Sequence, residues 1–201
     1  MFLSSSYWNS RYVDNDFGWD AGEITTPLKT YFDQLKDKNI KILIPGAGNS
    51  YEADYLFNNG FKNVFVLDFA EEPLKNIKER CNDFPDSQLL QENFFDHNGQ
   101  YDLIIEQTFF CAIDPSLRNT YANHMFELLK PEGKLIGVLF NDILNADKPP
   151  FGGNKEEYVK YFSCYFEFNT FDRCYNSIKP REGRELFINL TKRITSSGVK
   201  K

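Results

Sequence analysis

The chain has 201 residues, 41% of them hydrophobic, and a formal net charge of −6. That length accommodates one domain with a real core, and the acidic balance argues against nucleic-acid phosphates as a partner. Four cysteines without a CxxC pair and two separated histidines, His97 and His124, argue against a zinc site and a His-based triad.

Residues 1–36 precede the first strand and hold both tryptophans, Trp8 and Trp19. Their opening, MFLSSSYWNSRYVDND, lacks a basic region followed by a long apolar one. Nothing in the chain approaches eighteen consecutive apolar residues, so no membrane span is expected. The expectation is a cytoplasmic protein with reduced thiols, and the Asn189-Leu190-Thr191 glycosylation triplet is read as chance. Thr26 reads as the N-cap of a helix with Pro27 at its first position, running to about residue 35. Trp8, Tyr12 and Trp19 either pack the arm down or form a lid.

Residues 40–68, IKILIPGAGNSYEADYLFNNGFKNVFVLD, read as strand, glycine turn, helix and parallel strand. Gly46 and Gly48 let the backbone approach a ligand, and Asp68, twenty residues past Gly48, is placed to accept from ribose hydroxyls. Tyr51 stands where a dinucleotide fingerprint has its third glycine, and the stretch alone admits NAD, a flavin or S-adenosylmethionine.

Further along, 70–81 is helical and 88–91 is a short strand, with a loop over 93–96. YDLIIE, 101–106, is a strand buried on both faces, and an apolar turn covers 107–113. A helix over 115–129 stops at Lys130-Pro131-Glu132-Gly133, and 134–140 is the fifth strand. After a proline–glycine loop at 147–153 come a helix at 155–162 and two strands at 165–173 and 185–192. The link at 176–183 is too short for a crossover helix, so these two pair antiparallel. Residues 196–201 read as a frayed tail. The fold class expected is α/β: one Rossmann-like sheet over 1–201, mostly parallel with a C-terminal antiparallel pair and helices on both faces.

Five parallel strands closed by an antiparallel pair resemble class I S-adenosylmethionine-dependent methyltransferases. Trp8-x3-Tyr12, Gly18-Trp19-Asp20-x-Gly22 and Thr26-Pro27 resemble the N-terminal signature of the thiol/halide methyltransferases, within the thiopurine S-methyltransferase superfamily. Leu43-Ile44-Pro45-Gly46-Ala47-Gly48, Thr108-Phe109-Phe110-Cys111-Ala112-Ile113 with Arg118, Pro149-Pro150-Phe151 and Pro180-Arg181-x-Gly183-x-Glu185 extend the resemblance from Trp8 to about Arg193. Tyr12 stands where those enzymes usually have Trp, and Asn93 where they usually have Asp.

The resemblance implies S-adenosylmethionine as cofactor and S-adenosylhomocysteine as product. It places Trp8, Tyr12, Trp19, Gly46, Gly48, Asp68, Phe69, Asn93, Phe94, Glu106 and Gln107 at the cofactor, with Arg118, Arg181 and Thr108 as substrate-side candidates. The acceptor implied is a small soft nucleophile: a thiol, hydrosulfide or halide first, a thiopurine or tellurite next. Transfer from a sulfonium to such a nucleophile is an in-line displacement that needs positioning and exclusion of water more than a strong base. The rival readings are a non-catalytic domain that binds the cofactor and a nicotinamide-dependent reductase.

Overall fold

A computed structural model describes residues 3–194; the tail expected at 196–201 lies outside the described residues. Its strands are β1 (Lys41–Pro45), β2 (Asn63–Asp68), β3 (Leu89–Gln91), β4 (Tyr101–Gln107), β5 (Leu129–Phe140), β6 (Phe166–Arg173) and β7 (Glu185–Lys192). The helices are α1 (Ser5–Val13), α2 (Thr26–Phe32), α3 (Tyr51–Asn58), α4 (Glu71–Arg80), α5 (Arg118–Leu128) and α6 (Lys155–Phe162). The strands form one sheet in the order β3-β2-β1-β4-β5-β7-β6. β1 to β5 run parallel, and β7 enters between β5 and β6 antiparallel to both.

Alternation along the strands sorts the core into two layers, because successive side chains leave opposite faces of a sheet. Leu43, Ile104 and Leu135 point to one face, with Tyr121 and Met125 of α5 and Tyr158 and Phe162 of α6. Ile42, Ile44, Leu103, Ile105 and Ile136 point to the other, with Leu28 and Phe32 of α2, Leu56 of α3 and Ile77 of α4. Both faces of the central strands are thus covered, which is why they read as continuous apolar runs.

Most element limits expected from the sequence agree within a residue; the differences have physical reasons. Ahead of the helix expected at 26 the arm forms a further one, α1, behind Ser4, whose hydroxyl accepts from the Tyr7 amide at 3.2 Å. α2 begins at Thr26, which puts Thr25 rather than Thr26 at the cap, and the Thr25 hydroxyl is turned away to Gln107 Oε1 at 3.1 Å. Beyond Phe32 the chain tightens into i→i+3 bonds (Gln34 to Tyr31, Leu35 to Phe32), so the helix stops short of 35. α5 is preceded by a 3₁₀ turn at Pro115–Leu117. β5 starts early because Tyr101 already pairs with Leu129; the register then jumps to Leu103 and Lys134 across the 130–133 bulge.

No helix among the described residues is long and apolar enough to cross a membrane.

Candidate functional site

Strand order reverses between β1 and β4, and a crevice opens at such a point beyond the carboxyl ends of the strands. A cleft of about 480 Å³ lies there, a size suited to a cofactor plus a small second molecule. Its floor is the turn after β1. Gly46 and Gly48 have φ of +55° and +53°; a Cβ on Gly46 would overlap the Phe109 ring, and one on Gly48 would lie 2.5 Å from the Tyr12 hydroxyl. Glycine is therefore required at both positions, by conformation and by space.

Asp68, the last residue of β2, ties this turn to the next one. Its carboxylate accepts from the Gly48 amide at 3.1 Å and the Ala70 amide at 2.9 Å. Burial pushes its pKa up to about 6 against those backbone donors. Leu67, Asp68 and Phe69 all border the cleft. At the β3 end, Asn93, Phe94 and Phe95 close one side. The Asn93 side chain accepts from the Phe95 amide at 3.2 Å and donates to Asp96 at 3.0 Å, so it shapes its own turn.

The arm forms the roof. Trp8, Tyr12 and Trp19 line the cleft and meet edge to face, Trp8 and Trp19 at 5.6 Å and Tyr12 and Trp19 at 6.0 Å. Burial, followed by the charge on Asp68, raises the Tyr12 pKa, which keeps the hydroxyl neutral. Ser5 fastens α1 to the Phe69 carbonyl at 2.8 Å, and Asn9 accepts from the Glu72 amide at 3.0 Å. Arg181, 7% exposed, donates to the Trp19 carbonyl at 2.5 Å and pairs with Glu185 at 3.4 Å. The C-terminal half thereby holds the arm.

Beyond β4 the chain makes a turn shaped from behind. Gln107 and Thr108 face the cleft. Thr108 has φ of +60°, an unfavourable backbone state for a β-branched residue. Its hydroxyl donates to the Gln107 carbonyl at 2.7 Å. Cys111, also on the cleft wall, donates to the Thr108 carbonyl, and burial pushes its pKa up to about 12.

Two residues expected at ligands are placed elsewhere. Glu106 is not part of the cleft wall. It lies beneath the 107–113 turn, accepting from the amides of Phe109 (2.8 Å) and Phe110 (3.0 Å) and from the Tyr121 hydroxyl, and burial pushes its pKa up to about 7. Neighbouring residues of a strand face opposite ways, so the Glu106 and Gln107 side chains point to different sides of the sheet, and only Gln107 faces the cleft. Arg118 is 2% exposed and also off the cleft wall. It pairs with Glu157 at 2.9 Å, donates to the Gly152 carbonyl at 2.9 Å and stacks over Phe110 at 4.8 Å. Its charge anchors the 147–153 loop, whose Pro149 and Pro150 do border the cleft.

Of the cleft residues that no motif singled out, one is a buried acid. Glu52, four residues past Gly48, lines the cleft while 5% exposed, and burial pushes its pKa up to about 7. The signal available was its place four residues before Leu56, on the apolar face of α3. Neither His97 nor His124 borders the cleft; His97 is held between Glu92 at 2.6 Å and Tyr101 at 2.8 Å. Among the described residues, no cluster of His, Cys, Asp and Glu could hold a metal.

The profile of the family described as Thiopurine S-methyltransferase matches residues 3–193. The chain is 28% identical to the probable thiol methyltransferase 2 of Arabidopsis thaliana over 188 residues, covering 90% of this chain and 83% of that one. It is 29% identical to thiocyanate methyltransferase 1 of Brassica oleracea over 189 residues, covering 89% and 81%. Its fold is similar to that of 1,6-didemethyltoxoflavin-N1-methyltransferase from Burkholderia thailandensis, solved with bound S-adenosylhomocysteine. That likeness has a TM-score of 0.74 and 16% identity, and covers 96% of this chain and 88% of that one.

Proposed function

The chain belongs to the thiopurine S-methyltransferase family, and from that premise we propose that it methylates small thiols, hydrosulfide included, with halides and thiocyanate as further acceptors. It is an S-adenosylmethionine-dependent methyltransferase. The observation that carries the acceptor proposal is the cleft itself: aromatic and apolar walls around a glycine floor, without a histidine.

The residues present fit the cofactor. Gly46 and Gly48 bring bare backbone to the cleft floor, packed so closely under Phe109 and Tyr12 that neither position has room for a side chain. Asp68 has oxygen lone pairs left after its two amide bonds for the ribose hydroxyls. Phe69, Asn93, Phe94 and Phe95 would border the adenine, with Trp8, Tyr12 and Trp19 over the top. Gln107 and Thr108 would lie along the methionine side, and Arg181, Pro149 and Pro150 on the acceptor side.

When bound, the cofactor supplies an electrophilic methyl group on a sulfonium. The protein's part is positioning and drying. The aromatic roof removes water from the nucleophile, which strengthens it. An acceptor that ionises near neutral pH needs no strong base, in keeping with a wall that offers no His-based pair. The Cys111 thiol, held protonated by burial, does not compete as a nucleophile. Arg181 already serves Glu185 and the Trp19 carbonyl, so its remaining donors give only a modest pull on an anion. We place the protein in the cytoplasm, where its four free cysteines stay reduced.

The test is a methyl-transfer screen with hydrosulfide, a thiophenol, iodide, thiocyanate and tellurite, read as methylated product. Thiols should give the highest kcat/KM. Absence of product from all five, in protein that binds S-adenosylhomocysteine, would sink the acceptor proposal.

A further inference from the structure

We propose that Glu52 is the counter-ion of a primary ammonium group, namely the α-ammonium at the aminoacyl end of the bound cofactor. The inference rests on the reading of the cleft as the S-adenosylmethionine site and assigns to it a residue the other contacts leave unused.

Glu52 sits in the first turn of α3, directly after the glycine floor. It is 5% exposed, yet it lines the cleft. Apart from its own backbone amide, its carboxylate has no hydrogen-bond or ion-pair partner among the described residues. The guanidinium whose charge acts on it, Arg181, is engaged with Glu185 at 3.4 Å and the Trp19 carbonyl at 2.5 Å, over the Phe140 ring. Two buried carboxylates, Glu52 and Glu185, therefore share one cation, and one negative charge at this end of the cleft is left over. Asp20, the next acid nearby, adds to that excess; its own oxygens accept from Asn49 and from the Gly22 amide.

An ionised carboxylate out of water is costly unless a cation meets it. Burial accordingly raises the Glu52 pKa, so the carboxyl is partly protonated at neutral pH where no cation meets it. The occupant that relieves this cost is cationic at the end lying over the glycine turn. Adenine and ribose carry no cationic group; the amino-acid moiety, a zwitterion, carries an ammonium. Pairing its ammonium with Glu52 fixes how the methionine chain lies on Gly46 and Gly48, and a charge-assisted hydrogen bond is the strongest contact available there.

Calorimetry with S-adenosylhomocysteine and its deamino analogue, on wild type and Glu52→Gln, tests the assignment. Wild type should bind the deamino analogue at least tenfold more weakly than S-adenosylhomocysteine, about 1.4 kcal/mol. Glu52→Gln should lose at least tenfold for S-adenosylhomocysteine and hold both ligands alike. Equal affinity of wild type for the two ligands overturns the assignment, whether or not the variant folds. So does a variant that weakens both by one factor, or one that keeps both affinities while methyl transfer slows, which would put the carboxylate on the acceptor side. Folded wild type that binds neither ligand removes the cofactor reading and this assignment with it.

Discussion

Asp68 holds the Gly48 and Ala70 amides with the same carboxylate that borders the cleft, so on the proposed reading its removal should act twice, on the turn and on the ligand. Asp68→Ala should weaken S-adenosylhomocysteine binding at least tenfold by calorimetry, about 1.4 kcal/mol; unchanged affinity in folded protein would take Asp68 out of the site. Gly46→Ala should be worse, because its Cβ overlaps Phe109 and its φ is +55°, whereas Gly18→Ala, with nothing within 4 Å, should bind like wild type. Measured affinities that rank the two glycines the other way would contradict the cradle. The place of these residues on the cleft wall was legible because their types are dictated by backbone conformation or by strand-end position. Glu106 was not, since sequence places it at a strand end without saying which face its side chain takes. That Arg118 lies off the cleft wall was not legible either, for a related reason. An arginine at a helix start near a motif marks a neighbourhood, but its direction is fixed by Glu157 and Gly152, more than thirty residues on.

Among the elements, the parallel strands and the helices between them were readable from periodicity, since each buries a face against the sheet. α1 was not. SSYWNSRYV has little intrinsic tendency to form a helix of nine residues, and it is held by Ser5 on the Phe69 carbonyl and Asn9 on the Glu72 amide, contacts 63 and 64 residues away. An element stabilised from outside leaves a weak local signal and opens at small cost. Arg181 is the other fastening of this roof, so Arg181→Met should release the 15–22 segment. The expected outcome is faster cleavage there by limited proteolysis and roughly tenfold weaker cofactor binding, on the order of 1.4 kcal/mol. Arg118→Met should act on stability instead. Losing a charged hydrogen-bond set worth about 2 kcal/mol would lower the melting temperature by about 4–8 °C in a domain of this size.

For the molecule as a whole, three buried carboxyls dominate the response to pH, and burial raises the pKa of the half-buried Asp54 in the same direction. Burial raises Asp68 from 3.8 to about 6, and Glu52 and Glu106 from 4.5 to about 7. Each binds a proton more tightly in the native state than in the unfolded one. Between roughly pH 4 and 7 the native state therefore holds more protons, and stability falls as pH rises. The contribution is fully present below the unfolded pKa values and is lost through the native ones. The acids whose pKa values are lowered, Asp33, Asp102, Asp114 and Asp142, titrate below this window and do not offset the loss. At about 1.4 kcal/mol per pKa unit, the empty protein should melt several degrees lower at pH 7.5 than at pH 5. S-adenosylhomocysteine should flatten that slope, because an ammonium at Glu52 and ribose hydroxyls at Asp68 favour the charged forms. The Glu106 share should persist, since Glu106 faces Tyr121 and the turn amides rather than the cleft. Differential scanning fluorimetry across pH 5–8, with and without ligand, measures both parts. A slope that is absent in the empty protein, or that saturating ligand leaves unchanged, would refute the coupling between these buried charges and the site.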